Sequence, residues 1–449
     1  MNEKSRPPRQ SSRPAAARGR APEVPGVAVR RAAVDAIEAV LEKGRPLEEA
    51  LERLTRAFDE RDRALARMIA ATTLRRLGSI RALVRSLLER GLPTSARRVE
   101  TILAVGAAQI LFMDVPDHAA VSTGVALAGE DPASAGFKGL VNAVLRRIAR
   151  EGMAGLPDVP DQPQWMIDGW AAAYGAEAAQ AISRALAQEA ALDLTVKADA
   201  ADWAERLGGR LLPTGSIRLV EAGNVTALPG FDEGAWWVQD AAAALPARLM
   251  HAGPGQRIAD LCAAPGGKTA QLAAAGAQVV AVDRSGPRLR RLSQNLARLK
   301  LDAEVVEADA TAWKGGPFDG VLIDAPCSAT GTIRRHPDVA WTKAPSDIAS
   351  LGGLQARILA NAADLVRPGG VLVYSTCSLE PEEGERQVEA LLAVRPDFVR
   401  DPVRPGECGI PAEWLDPAGE VRTLPVHQPD EDPRLAGLDG FFAARLRRR

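Results

Sequence analysis

At 449 residues the chain is too long for one ordinary domain, and 46% hydrophobic with 25% charged residues is the balance of a soluble globular protein. Four scattered cysteines (Cys262, Cys327, Cys377 and Cys408) with no C-x-x-C pair exclude a disulfide scaffold and a structural zinc site, so no metal is expected. No apolar run approaches the ~20 residues of a membrane span and the N-terminus has no secretory apolar core, so a cytoplasmic protein without a membrane partner is expected.

The formal charge of −1 hides an uneven distribution. Residues 1–20 hold Lys4, Arg6, Arg9, Arg13, Arg18 and Arg20 against Glu3, and residues 61–98 hold ten arginines against Asp62 and Glu89. The chain ends in Arg445 and Arg447 to Arg449. Local basic patches on a neutral protein suit an anionic partner such as nucleic acid, although solvated helix faces would read the same way.

In chain order, residues 1–27 read as a disordered basic arm, since Pro7, Pro8 and Pro14 break any amphipathic helix there. Residues 28–153 read as an all-α bundle, with further helices at 46–58, 61–76, 79–90, 95–113, 118–128 and 137–151 between Gly and Pro breaks. A linker at 154–164 leads to a small α+β region over 165–235, helical from Trp165 to about Leu192, with strands near 193–197 and 215–220. From 236 to 449 apolar strands at 256–261, 278–282, 303–306, 318–323 and 371–375 alternate with amphipathic helices. That is the rhythm of a Rossmann-like α/β domain, a mostly parallel doubly wound sheet, and residues 439–446 add an antiparallel edge strand. The fold class is thus multidomain.

The first strand of that sheet runs into Asp260-Leu-Cys-Ala-Ala-Pro-Gly-Gly-Lys-Thr269. A phosphate-binding G-x-x-x-x-G-K-[ST] loop would need glycine where Cys262 stands, and no G-x-G-x-x-G is present. S-adenosylmethionine has no phosphates to cradle. It needs a close turn for its amino-acid end, here Cys262, Ala263, Ala264, Pro265, Gly266, Gly267 and Lys268, and an acid for its ribose hydroxyls. Asp283 ends the second strand for that purpose, and Asp309, after the third, stands where an adenine edge would lie. Each acid alone would be an ordinary loop carboxylate; three consecutive strand ends carrying Gly-Gly, Asp and Asp are not.

The next two strands end in Asp324-Ala-Pro-Cys-Ser328 and Ser375-Thr-Cys-Ser378, so a parallel sheet brings Asp324, Cys327 and Cys377 to one edge. Methylation of an exocyclic amine would want an Asn-Pro-Pro-aromatic motif there. A carboxylate and thiols suit a ring carbon instead. C5 of cytosine cannot attack a sulfonium methyl until a thiolate has added to C6, and a carboxylate near N3, the role suited to Asp324, steadies the ring. A thiol is well chosen because its pKa falls further at a helix N-terminus. Cys262 and Cys408 otherwise read as small buried residues, and His118 as a capping or packing residue at a helix start.

These motifs resemble the Nop/Sun family of RNA 5-methylcytosine methyltransferases, with Gln239-Asp240 and the terminal Asp439-Gly-Phe-Phe442 adding to the likeness. The resemblance implies Cys377 as nucleophile and Cys327 in product release. It also implies S-adenosylmethionine contacts from residues 262–268, Asp283, Asp309 and Asp324. Arg61-Asp-Arg-Ala-Leu-Ala-Arg67, Gly106-Ala-Ala-Gln-Ile-Leu-Phe112, His118-Ala-Ala-Val121 and Val141-Asn-Ala-Val-Leu-Arg-Arg147 resemble the NusB RNA-binding fold. Together they imply an enzyme acting on small-subunit (16S) ribosomal RNA, expected as a monomer. Transfer RNA as target and a non-catalytic NusB-like RNA-binding factor are the alternatives. Lys268 is expected to help position base or cofactor.

Overall fold

The computed structural model describes residues 25–88, 90–219 and 223–449. All but the last three positions of the expected basic arm lie outside the described residues, and a helix already begins at Val27.

Helices Val27–Lys43, Leu47–Leu54, Glu60–Arg75, Leu77–Ser86, Arg97–Phe112, Asp117–Glu130, Pro132–Ala135 and Lys138–Glu151 form the expected bundle. Its axis is Arg97–Phe112, buried without a break from Thr101 to Gln109 because its residues are apolar or small on every face. Ile37, Ile69 and Leu145 close on it with no exposed surface. The one polar side chain at its end, Gln109, accepts from Arg30 Nε at 2.9 Å.

The helical stretch expected from Trp165 to Leu192 is two helices, Gln164–Tyr174 and Ala176–Leu186, broken at Gly175. Strands β1 (Leu192–Val196), β2 (Arg210–Leu211), β3 (Ile217–Leu219) and β4 (Trp236–Val238) then make an antiparallel sheet in the order β2-β3-β1-β4. Fully buried Arg218 chelates Asp193 at 2.7 Å and donates to the carbonyls of Leu435 and Gly437, fastening this sheet to the end of the chain. Removing one partner of such a pair costs about 3–5 kcal/mol, because the other charge stays buried.

The large sheet holds β5 (Arg257–Leu261), β6 (Gln278–Asp283), β7 (Glu304–Glu307), β8 (Phe318–Asp324), β9 (Val366–Thr376), β10 (Phe398–Arg400), β11 (Val421–Thr423) and β12 (Phe441–Arg448). Its order is β10-β12-β9-β8-β5-β6-β7, with β11 also on β12. The run β9-β8-β5-β6-β7 is parallel, and β12 is antiparallel to β9 from Phe442↔Thr376 to Arg447↔Val371. The terminal strand is therefore not the edge that the sequence suggested. An eight-residue strand left at the rim would expose a long row of unpaired backbone groups, and the short strands β10 and β11 cover it.

The basic C-terminus is also less free than its sequence implies. Arg445 binds Glu407, Arg447 binds Asp401 at 2.7 Å, and Arg448 binds Asp397 at 3.1 Å. In the arginine-rich stretch 61–98, Arg67, Arg76, Arg81 and Arg98 are ion-paired and Arg75 is buried.

Chain order reverses between β5 and β8. Their carboxyl ends therefore open a crevice, the usual place for a ligand in such sheets.

Candidate active site and its relatives

β5 ends in a tight turn before helix Gly267–Ala274. Cys262 takes φ 61° and Gly266 φ 103°. A Cβ at Gly266 would lie 2.8 Å from Leu292 Cγ, so only glycine lets the turn sit this close to helix Gly286–Leu299. Asp283, nearly fully buried, accepts from the backbone N–H of Ala264 at 3.2 Å and of Ser285 at 3.0 Å, and pairs with Arg288 at 3.2 Å. Asp309 is exposed and accepts from the N–H and the hydroxyl of Thr311, both at 2.8 Å, which holds its carboxyl below the usual range. Cys262, Asp283 and Asp309 meet in one cleft, closed on its apolar side by Ala310, Pro326, Leu354 and Ile358. Burial pushes the Cys262 thiol up to about 12, so it is an uncharged wall of that cleft.

At the tips of β8 and β9 the sulfurs of Cys327 and Cys377 lie 3.4 Å apart. The contact with the Cys377 sulfur, then burial, raises the Cys327 thiol well above its ordinary value. The contact ties the Cys327 loop to the Cys377 loop, and either thiol can donate in it. Neither cysteine begins a helix: Thr330–Thr332 and Glu385–Val394 start further on. The helix N-terminus expected beside these thiols is therefore absent, and a sulfur–sulfur contact stands in its place. Asp324 is held by Lys268 at 2.8 Å, and Lys268 lies 4.9 Å above the Phe441 ring.

The thiol loops are braced by groups that the motifs did not single out. Glu383, fully buried, accepts from the Ser328 N–H at 2.9 Å, the Ser328 hydroxyl at 2.5 Å and Gln355 Nε2 at 3.0 Å. Glu380 accepts from Ser378 at 2.9 Å, from Trp170 Nε1 at 3.2 Å and from Thr330. The Tyr174 hydroxyl donates to the Leu379 carbonyl at 2.5 Å, and Arg422 to the Ser378 carbonyl at 2.6 Å. The acidic run Glu380-Pro-Glu-Glu-Gly-Glu385 beside Thr-Cys-Ser was the available signal, but nothing in it told buried acids from solvated ones. Asp260 is a further omission. It accepts from the Thr269 hydroxyl at 2.6 Å, leaves its second oxygen buried without a partner, and is pushed up to about 7 by burial.

The flanking motifs converge here. Arg335 joins Asp240 to Asp439, and the Gly331 N–H donates to the Cys377 carbonyl at 3.0 Å while the Gly440 N–H donates to the Gly331 carbonyl at 2.9 Å. His118 is exposed in its helix and makes no cap; Pro116 stands at that position with no side-chain hydrogen bond. Cys408 is half-buried and packs against the apolar cluster around Leu249, Val373 and Phe441.

A family model described as 16S rRNA methyltransferase RsmB/F matches residues 247–447, and a NusB family model matches residues 27–150. The chain is 38% identical over 411 residues to ribosomal RNA small subunit methyltransferase B of Klebsiella pneumoniae subsp. pneumoniae, covering 85% of this chain and 94% of that protein. It is 39% identical over 442 residues to the protein of that name from Sodalis glossinidius, covering 92% and 96%. The crystal structure of PH0851, 23% identical, superposes with a TM-score of 0.70 over 94% of this chain and 99% of its own, a likeness of fold. With both family models matched and relatives aligned nearly end to end, the chain belongs to the ribosomal RNA small subunit methyltransferase B family.

Proposed function

We propose that this chain is an S-adenosylmethionine-dependent RNA (cytosine-C5)-methyltransferase that acts on 16S ribosomal RNA through a bond between Cys377 and C6 of the base. The pair of sulfurs 3.4 Å apart at adjacent strand tips, beside the Lys268–Asp324 pair, carries the reading. The names of the relatives support small-subunit ribosomal RNA as the substrate.

The cleft fits the methyl donor. Asp283 and Asp309 can accept from hydroxyl and amino groups, Ala310, Pro326, Leu354 and Ile358 can sandwich an apolar ring, and the acids disfavour phosphates. When bound there, S-adenosylmethionine supplies an electrophilic sulfonium methyl.

The chain's own residues do the rest. Cys377 adds its sulfur to C6, which breaks the C5–C6 double bond and makes C5 nucleophilic. Asp324, oriented by Lys268, faces the N3 edge and balances the charge that builds on the ring. Once C5 carries the methyl, its proton must leave so that the double bond re-forms and the sulfur–C6 bond breaks. Cys327 serves that step, directly or through a water. Its sulfur lies 3.4 Å from the departing one, so a water beside the pair can take the C5 proton to solvent as the electrons of the C5–H bond re-form the double bond and Cys377 leaves as thiolate. The target base must leave its stack to reach two sulfurs at the bottom of a crevice, so an unpaired loop cytosine is the expected substrate.

The test mixes Cys327→Ala and Cys377→Ala variants with 16S ribosomal RNA and S-adenosylmethionine and looks for RNA-linked protein on a denaturing gel. Cys327→Ala should accumulate the adduct and Cys377→Ala should form none and transfer no methyl. A fully active Cys377→Ala variant overturns the mechanism, and the reverse gel pattern exchanges the two roles.

A further inference from the structure

An acid-free run of cations lies on a stretch that the charge pattern of the sequence did not bring forward. Between Arg284 and Lys300 the chain carries Arg284, Arg288, Arg290, Arg291, Arg298 and Lys300 and no acidic residue at all. Helix Gly286–Leu299 turns Leu289, Leu292, Leu296 and Leu299 inward, and Arg284, Arg288, Arg290, Arg291 and Lys300 are exposed. Arg288 pairs with Asp283, and Arg298 donates to the carbonyls of Phe231 and Trp236. Among the described residues Arg290, Arg291 and Lys300 form no ion pair. Lys197 adds a further cation: it donates to the Leu299 carbonyl at 2.9 Å, and burial, then Lys300 and Arg298, lower its pKa.

This face starts at the cleft. Arg284 and Arg288 line the cleft with Cys262, Asp283 and Asp309, and Asn295 donates to the Pro265 carbonyl at 3.0 Å, tying the helix to the turn after β5. Fourteen helical residues span about 21 Å. Surface helices commonly offset such charge with acids three or four residues away. Here repulsion between like charges is left standing on a protein whose net charge is −1.

We propose that the exposed face of helix Gly286–Leu299, from Arg284 to Lys300 with Lys197, is a phosphate-binding track for the RNA substrate, leading its backbone to the rim of the cleft. The proposal rests on the RNA-methyltransferase reading above. Guanidinium groups suit phosphate oxygens by geometry, and a track without acids attracts the backbone irrespective of base sequence.

The test is the double variant Arg290→Gln/Arg291→Gln, both sites exposed and outside the catalytic and cofactor groups. Binding to a naked 16S ribosomal RNA transcript is measured at several salt concentrations, alongside Tm, S-adenosylmethionine binding and kcat at saturating RNA. Loss of two phosphate contacts lowers the log–log salt slope by about 1.4–1.8 and weakens binding about 15- to 30-fold near 0.15 M salt. Tm, cofactor affinity and kcat should not move. An unchanged slope with affinity within about twofold of wild type overturns the track. Weakening seen with the ribosomal particle but not with naked RNA points to an acidic protein surface and also overturns it. A wild-type chain that binds and methylates no ribosomal RNA in either form overturns the functional reading, and the track with it.

Discussion

Tyr174→Phe is the most informative single change, because it removes one oxygen and little else. The hydroxyl donates to the carbonyl of Leu379, two residues beyond Cys377, and Leu379 has no exposed surface. Losing a net hydrogen bond and leaving a buried acceptor without a donor costs about 1–3 kcal/mol. At about 2.1 cal/mol/K of unfolding entropy per residue over 449 residues, that is a fall in Tm of about 1–3 °C. The effect on chemistry should be larger in proportion. The carbonyls of Ser378 and Leu379 are each held by one side chain, Arg422 and Tyr174, so freeing one lets the turn that carries Cys377, the proposed nucleophile, drift. Misplacement of about 1 Å costs up to about 100-fold in rate. In a Cys327→Ala background, where the adduct accumulates, Tyr174→Phe should slow adduct formation about tenfold and leave KM for RNA unchanged. Burial pushes the phenol pKa up, so Tyr174 stays a donor and the defect should be flat from pH 6 to 9. A variant that loses less than about 0.5 kcal/mol and forms adduct at the parental rate would refute the bracing argument.

Two further changes probe the same architecture. A Cβ at Gly331 would lie 1.9 Å from the Gly440 carbonyl oxygen, a backbone atom that cannot swing aside. Gly331→Ala should therefore cost about 3 kcal/mol or more and separate Asp439-Gly-Phe-Phe442 from the Cys327 loop, seen as a lowered denaturation midpoint with near-complete loss of methyl transfer; a fully active, equally stable variant contradicts the close approach. Asp260 has its folded pKa raised to about 7 from an ordinary value of 3.8, so its contribution is fully present at acid pH and is lost as pH rises through 7. Between pH 5.5 and 8 this group alone removes about 2 kcal/mol, and Asp260→Asn should flatten that part of the stability profile. An unchanged difference in Tm between the two pH values would mean that Asp260 is ionised throughout.

The fold was legible where a local pattern has only one physical solution. Leucines at 289, 292, 296 and 299 can bury together only on a helix, and the apolar runs ending in Asp283 and Asp324 can be covered only as strands inside a sheet. The gathering of the candidate site residues was legible for a related reason: strands of a parallel sheet must bring their carboxyl ends to one edge, so Asp324, Cys327 and Cys377 had to be neighbours. Partnership was not legible. Whether Arg445 and Arg447 are free or paired, whether Glu383 is solvated or buried, and whether β12 is an edge all depend on contacts made across tens to hundreds of residues. A sequence records the charge of a side chain but not its distance from the opposite charge. Only the tertiary structure supplied the brace of Trp170 and Tyr174, 200 and more residues upstream, against Leu379 and Glu380. It also paired Arg288 with Asp283 while leaving Arg290 and Arg291 of the same helix without an ion pair among the described residues.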